Sequence, residues 1–393
     1  MTSAPLDHVH AAVPPWRDIR VLRIAVQVVV VALVLAIGFV LWSNLTASMG
    51  RSRLTFGLGF LDTTAGFEIA ESPIQFSATD TYGRAFAVGL INTLIISVAG
   101  IVLATILGVI VGVGRLSGNW LVNHLAAGFV EVMRNTPLLV QLVLLYAVLL
   151  QLPSVANAVA LPGSIYLSQR GLSFPRPVVG PTFGAWLALL GIGIAVALAT
   201  RWFAARREAS GHPSSGLRRV GILAMVTIPV VGWVALGAPI SLDVPILQRF
   251  NFVGGIVLSP EFSALLFGLV IYTSAFIGEV VRGGIQSVRR GQLEAAYAVG
   301  LTPRQTLRLV VFPQALRVIV PPLTSQYLNL AKNSSLAIVI GFPDLFSVSR
   351  TMSNQTGQPV SVIMLVMATY LAISLATSLA MNLYNRRVQV LEG

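Results

Sequence analysis

Eight long apolar runs divide this 393-residue chain: Val21 to Trp42, Phe86 to Val113, Pro137 to Leu152, Val179 to Thr200, Val220 to Ile240, Phe262 to Val281, Ala315 to Leu330 and Val360 to Tyr384. A helix needs about 20 predominantly apolar residues to cross roughly 30 Å of hydrocarbon. The runs are apolar on every face. They lack the alternation of barrel strands, whose segments are roughly ten residues long. The pattern therefore predicts an all-α polytopic membrane protein with about eight transmembrane helices. The third run is short, and Trp120 to Val132 can lead into it as an interfacial or partly inserted helix. The seventh is softened by Pro321 and Pro322 and ends in the polar stretch Asn329 to Lys332. The first run has arginines on its N-terminal side and no clear small-residue cleavage site, so it reads as a retained anchor rather than a cleaved signal.

Composition agrees: 55% of residues are hydrophobic, 10% are charged, and the mean hydropathy is +0.82. A net charge of +12 would point a soluble protein toward nucleic acid. In this chain the arginines flank helices instead, and no nucleic-acid partner is expected. With the N-terminus in the cytoplasm, all but eight of the 26 basic residues fall on inside segments. The exceptions are Arg51, Arg53, Arg84, Arg170, Arg176, Arg249, Lys332 and Arg350. The positive-inside rule then puts both termini in the cytoplasm.

The chain has no cysteine, which excludes disulfides, thiol catalysis and cysteine metal sites. Its histidines, His8, His10, His124 and His212, are scattered. His8 and His10 could meet a metal, but two ligands are too few for a structural site, and no metal is expected. There is no G-x-x-x-x-G-K loop, so any ATP hydrolysis must come from another protein. No catalytic cluster stands out, and no enzymatic activity is expected.

Between the sixth and seventh runs lies a polar, arginine-rich segment. Leu293, Ala296, Tyr297, Gly300 and Leu301 recur at helical spacing and predict a short amphipathic helix. Gly300 suits the left-handed position that ends it. Thr302, Pro303 and Gln305 have the residue types of an N-cap, a first helical position and a capping box. Leu307, Val310 and Val311 give a second short helix, and Pro313 is expected to break or redirect the chain as it re-enters the membrane. The product is a cytoplasmic two-helix elbow whose small alanines let a partner approach closely.

Glu294-Ala295-Ala296, three residues, Gly300, nine residues, then Val310-x-Phe312-Pro313 resembles the EAA loop of ABC importer permeases, E-A-A-x3-G-x9-I-x-L-P. Val310 and Phe312 depart conservatively from it. Arg134-Asn-Thr-Pro-Leu-Leu-Val-Gln141, Glu279-Val-Val-Arg282-Gly-Gly-Ile285 and Lys332-Asn-Ser-Ser-Leu336 resemble motifs of the polar amino acid subfamily. The four matches lie in order between Arg134 and Leu336, and the resemblance covers roughly residues 86 to 385. The extra first helix and the insertion between Pro153 and Pro260 are similar to the longer permeases of general L-amino acid uptake, the AapQ or BztB type.

The resemblance implies a type I ABC importer transmembrane domain, a five-helix core plus three extra helices, in the bacterial inner membrane. The implied division is residues 1–85 as tail, first helix and periplasmic segment, and 86–385 as permease domain. Within the latter, 153–260 is inserted and 282–313 is the coupling loop; 386–393 is a second tail. It implies two ATPase subunits, which would bind ATP and Mg, so the chain itself carries no cofactor. It also implies a second permease, expected to form a heterodimer, and a periplasmic amino-acid-binding protein. Glu294, Ala295, Ala296, Gly300 and Pro313 would couple the chain to the ATPase. An importer of another small polar solute and an ion-coupled secondary transporter are the alternatives, although the latter are often built from internal repeats and none is evident here.

Polar groups within spans are costly unless they face protein or water. Asn92, Gln141, Tyr272, Ser274, Glu279 and Asn329 are therefore candidates for a substrate path. Each also has a structural reading. Ser274 and Tyr272 can bond within or between helices, Glu279 and Arg282 can form an i,i+3 ion pair, and Thr136 before Pro137 can start a helix.

Overall fold

The computed structural model describes residues 19–52, 57–248 and 251–389. The expected N-terminal tail, with His8, His10 and Arg17, lies outside the described residues, as do Arg53, Arg249 and residues 390–393; residues 386–389 of the expected second tail are helical. The helices are α1 (Ile19–Ser52), α2 (Tyr82–Gly114), α3 (Trp120–Asn135), α4 (Leu138–Leu150), α5 (Phe183–Ala209), α6 (Ser215–Ala235), α7 (Pro260–Gln286), α8 (Arg290–Ala298), α9 (Pro303–Thr306), α10 (Phe312–Asn333), α11 (Leu345–Thr356) and α12 (Pro359–Gln389). Seven helical stretches among the described residues are long and apolar enough to cross a membrane, or eight if the bent pair α3 and α4 counts as one span. All eight sequence runs are accounted for. The bend between α3 and α4 is 106°. Thr136 does not start α4 as its type suggested. Its hydroxyl donates to the Val132 carbonyl at 2.9 Å, closing the end of α3 instead.

The centre of the fold is α7, with α2, α4 and α10 packed around it. Its apolar side chains Leu265, Leu269 and Ile277 are fully buried with Ile96, Leu142 and Leu330. Lipid tails are as apolar as leucine, so close packing rather than the hydrophobic effect must hold such helices together. The sequence supplies it at Gly108 and Gly112. A Cβ on Gly112 would lie 2.6 Å from the Gly278 carbonyl oxygen, and one on Gly108 would lie 2.6 Å from the Ile277 Cβ. Only glycine lets α2 approach α7 so closely.

α10 runs unbroken through Pro321 and Pro322. Prolines inside membrane helices are tolerated where neighbours compensate the freed carbonyls. A second cluster joins the segment before α2 to α11 and α12, with Phe60, Tyr82, Met352 and Val362 at its centre. α11 was not expected from the sequence, because its apolar residues are few and it is only 12 residues long.

Short strands also escaped the hydropathy pattern: β1 (Val159–Leu161), β2 (Ile165–Ser168), β3 (Gly171–Phe174), β4 (Arg176–Val179), β5 (Ile240–Asp243), β6 (Ile246–Gln248), β7 (Asn251–Val253) and β8 (Ile256–Leu258). All pairs are antiparallel, in the sheet order β1-β2-β3-β8 with the separate pairs β4-β5 and β6-β7. Leu172 faces Leu258 across one pair and Arg176 faces Asp243 across another, with an ion pair at 3.0 Å. The chain thus leaves for α5 and returns from α6 at adjacent points. The two helices form a hairpin packed chiefly on itself, its apolar side chains exposed.

Candidate functional site

The elbow between α7 and α10 is built by local chemistry. α8 ends with the Gly300 N–H donating to the Tyr297 carbonyl at 3.0 Å and the Leu301 N–H donating to the Ala296 carbonyl at 3.1 Å. Gly300 has φ +80°, the left-handed conformation such an end requires. Thr302 and Gln305 then form a reciprocal capping box, with N–H to side-chain distances of 3.4 and 2.9 Å. Both halves of the turn are fixed by hydrogen bonds between near neighbours in the chain.

Two expectations about the elbow change. Ala296 does not face outward; it is 4% exposed and, with Leu293, forms the inner face of α8. Glu294, Ala295 and Gly300 are exposed. Tyr297, Val299 and Leu307 are also more than half exposed, a concentration of apolar surface on a polar segment. Nor does Pro313 break the chain. Leu307–Val311 form a π turn closed by the Phe312 N–H on the Leu307 carbonyl. Pro313 follows directly after the π turn, and the helix continues through it into α10. From Pro303 to Asn333 the chain is one continuous helical rod. At 1.5 Å per residue it is about 45 Å long.

The far part of that rod borders a polar cavity of about 290 Å³, lined by Tyr272, Thr273 and Phe276 of α7 and Gln326, Asn329 and Asn333 of α10. Two of the candidate path residues, Tyr272 and Asn329, meet here. The lining donates and accepts through amides and hydroxyls and carries no charge. The Arg134 guanidinium lies 5.3 Å from the centre of the Phe276 ring.

The other four candidates lie elsewhere. The Asn92 side-chain amide donates to the Glu71 carbonyl at 2.8 Å and the Pro343 carbonyl at 2.9 Å, tying α2 to two loops. Gln141 donates to the Met133 and Thr136 carbonyls at 3.0 and 3.1 Å, pinning the bend between α3 and α4. Ser274 is fully buried and donates to the Ile271 carbonyl of its own helix at 2.8 Å. Glu279 receives Arg282, whose Nε lies 3.1 and 3.2 Å from its two oxygens, and Arg115 from the end of α2. The i,i+3 pair expected from the sequence is present within α7, and Arg115 ties it to the end of α2.

Several polar residues were missed. Arg115 was visible only as an orienting charge, because nothing in sequence spacing links it to Glu279. Asp344 is fully buried at the start of α11 and accepts from the Ser347 N–H at 2.8 Å. Burial pushes its carboxyl up to about 6, against the lowering effect of the Ser347 and Phe346 N–H groups. Burial likewise raises the Glu71 carboxyl, although a bond from Ser259 opposes it. Gln326 of the cavity sits in a run otherwise read for its prolines, and Asn333 was read only as part of the motif from Lys332 to Leu336. Among the described residues, no group of three or more acidic or histidine side chains could hold a metal ion.

Residues 104–390 match the family described as binding-protein-dependent transport system inner membrane component. The chain is 45% identical over 371 residues to the general L-amino acid transport system permease protein AapQ of Rhizobium johnstonii, covering 92% of each chain. It is 46% identical over 371 residues to the putative amino-acid ABC transporter permease protein YhdX of Escherichia coli, covering 92% of this chain and 93% of the relative. Against the glutamate/glutamine/aspartate/asparagine transport system permease protein BztB of Rhodobacter capsulatus, identity is 40% over 417 residues, covering 95% of each.

Proposed function

The chain belongs to the family of binding-protein-dependent transport system inner membrane components, and from that premise we propose how its parts divide the work of importing L-amino acids. It is a multi-pass permease subunit of an ABC importer, a transport component rather than an enzyme. The observation that carries the mechanism is the continuous rod from Pro303 to Asn333, which has the elbow at one end and the polar cavity at the other.

In this reading the elbow is cytoplasmic and docks in a cleft of a separate ATPase subunit, where ATP and Mg are bound. Glu294 makes a polar contact there. Tyr297, Val299 and Leu307 fill apolar positions, Ala295 and Gly300 leave room for close approach, and Ala296 packs the elbow's interior. Pro313 seats the elbow on α10. Closure of the ATPases then moves α10 as a rigid body. The movement reaches Gln326, Asn329 and Asn333 along helix that is unbroken from Pro303 to Asn333.

The cavity suits a zwitterion. Neutral hydrogen-bonding groups can receive an ammonium and a carboxylate without burying an opposed protein charge, which within a membrane would be costly. Its volume is near the lower end of small-molecule sites, about 300 Å³ upward. We assign Tyr272 and Asn329 to contact with the cargo, and Asn92, Gln141, Ser274 and Glu279 to holding the helices that shape the path. The complete importer would add a second, non-identical permease and a periplasmic binding protein. Both termini would lie in the cytoplasm, 153–260 would be an insertion into the core permease, and 282–313 would be the coupling loop.

The test is uptake of radiolabelled L-amino acids by proteoliposomes holding the assembled transporter. Asn329→Leu should raise the KM for uptake at least about tenfold, the worth of roughly 1.4 kcal/mol of lost hydrogen bonding, while basal ATPase activity stays unchanged. An unaltered KM in both Asn329→Leu and Tyr272→Phe would remove the cavity from the path.

A further inference from the structure

A second cavity, of about 560 Å³, is near neither the elbow nor the polar path. It opens between α5 and α6 where they leave the membrane for the linker at 210–214. Its lining is graded. Arg201 and Arg218 stand at the linker end, Thr200 comes next, and Leu198, Ile222 and Met225 continue toward the middle of the helices. From Arg218 to Met225 is about two helical turns, roughly 10 Å, the distance over which a bilayer passes from headgroup to acyl chain.

Two further observations set this cavity in lipid. On α5, Trp186 and Trp202 lie about 24 Å apart along the axis, close to the separation of the two interfacial aromatic belts. Trp186 packs edge-on against Trp233 of α6, with ring centroids 5.4 Å apart, so one belt is shared by both helices. Trp202 is stacked under Arg206, whose guanidinium lies 3.7 Å from the ring centre, in keeping with the headgroup level. Between the two levels, Ile192, Ile194, Leu198, Leu223, Val226 and Val230 are all exposed.

Charge selects the headgroup. Arg201, Arg206, Arg207, Arg218 and Arg219 surround this end, and Glu208 is the sole carboxylate between residues 183 and 239. Glu208 is engaged by Arg218 and by the Ser214 hydroxyl. The field at the mouth of the cavity is therefore strongly positive, and Arg201 faces it without an ion-pair partner among the described residues.

We propose that this cavity binds an anionic phospholipid of the leaflet it faces. The phosphate sits between Arg201 and Arg218, and an acyl chain runs down the groove along Leu198, Ile222 and Met225. The α5–α6 hairpin is then a lipid-sensing annex of the transporter. Basic pockets between membrane helices favour such headgroups, each arginine contributing a factor of about five in affinity.

The assembled transporter, purified in mild detergent, should carry phosphatidylglycerol or cardiolipin through delipidation. Its unfolding temperature should rise with vesicles containing phosphatidylglycerol, but not with pure phosphatidylcholine vesicles or with inorganic phosphate. Arg201→Gln should weaken the retained lipid about fivefold, and the double variant with Arg218→Gln roughly tenfold or more. Arg350→Gln, at an exposed position outside the hairpin, should change nothing. Should the double variant not fold, photoactivatable phosphatidylglycerol on the unaltered protein should label peptides within 197–225. Equal retention in the double variant, a response to phosphate alone, or labelling elsewhere with 197–225 clean would overturn the proposal, as would a protein subunit found covering this groove. None of these readouts depends on the coupling elbow or the polar cavity, so this site stands or falls separately from the transport mechanism.

Discussion

The helix pair α2 and α7 and the helix pair α5 and α6 are both long, apolar and in contact along their length, yet they are built on different rules. In the first, Gly108 and Gly112 bring backbones together, Glu279 bridges Arg115 and Arg282, and α7 is mostly buried. In the second, Gly221 and Gly232 come closest to the side chains of Thr200 and Leu189, with the nearest backbone atom, Ala197 Cα, 3.3 Å from a Cβ at Gly221, while Gly184, Gly191 and Gly216 face open space. Most side chains of that pair are exposed, and its charge is gathered at the linker end. Hydropathy does not tell the pairs apart. What separates them is where small and polar residues fall, because polar groups are costly in lipid and persist only against protein, water or cargo.

The largest effect should come from filling the close approach. Gly112→Val pushes a side chain into the Gly278 carbonyl and Val281, and should destabilise the core by about 3 kcal/mol or more. Gly191→Val in the hairpin meets open space and should leave the unfolding temperature in detergent nearly unchanged. Equal sensitivity at the two positions would erase the contrast.

Buried charge gives the next difference. The Asp344 carboxyl rises from 3.8 to about 6 through burial, so between these values the folded protein binds more protons than the unfolded chain. Its contribution to stability is greatest below about pH 4, falls as pH rises through 4 to 6, and stays lower above that, a change of about 3 kcal/mol. Asp344→Asn keeps a capping side chain and should flatten this dependence in unfolding measured from pH 4 to 8. A retained slope would assign the dependence to another group.

A smaller loss is expected at the ion-pair bridge. Glu279→Gln removes the carboxylate between two guanidiniums that are only partly screened by solvent and should cost about 2 kcal/mol. Arg218→Gln, whose partner Glu208 is exposed, should cost under about 1 kcal/mol in the same unfolding assay. These values reverse if α5–α6, rather than α2–α7, is the mechanical core.

Much of this architecture was legible because membrane spans announce themselves by length and apolarity. The elbow was legible for a different reason. Gly300, Thr302, Pro303 and Gln305 act within one turn of themselves, so their local chemistry fixes their geometry. Long-range pairings could not be read this way. Nothing near Glu279 in the sequence names Arg115, which lies 164 residues away. The burial of Asp344 depends on Tyr370 and on α2 folding over it. The inward turn of Ala296 follows from how α8 packs against α9 and the π turn, with Gln314 donating to Gln292 at 3.3 Å, a pairing across 22 residues that local spacing does not show. Of six polar candidates in the spans, Tyr272 and Asn329 share the cavity because α7 and α10 face each other there.

The central claim is that force enters at the elbow and travels along one rod to the cavity. It is tested most directly by ATP-driven amino acid uptake in the assembled transporter carrying Glu294→Arg. The substitution is at an exposed position, so the chain should fold and assemble, while uptake and its linked ATP hydrolysis fall by at least about tenfold, as expected for losing a charged contact at an interface. Full ATP-driven uptake in that variant would contradict the account.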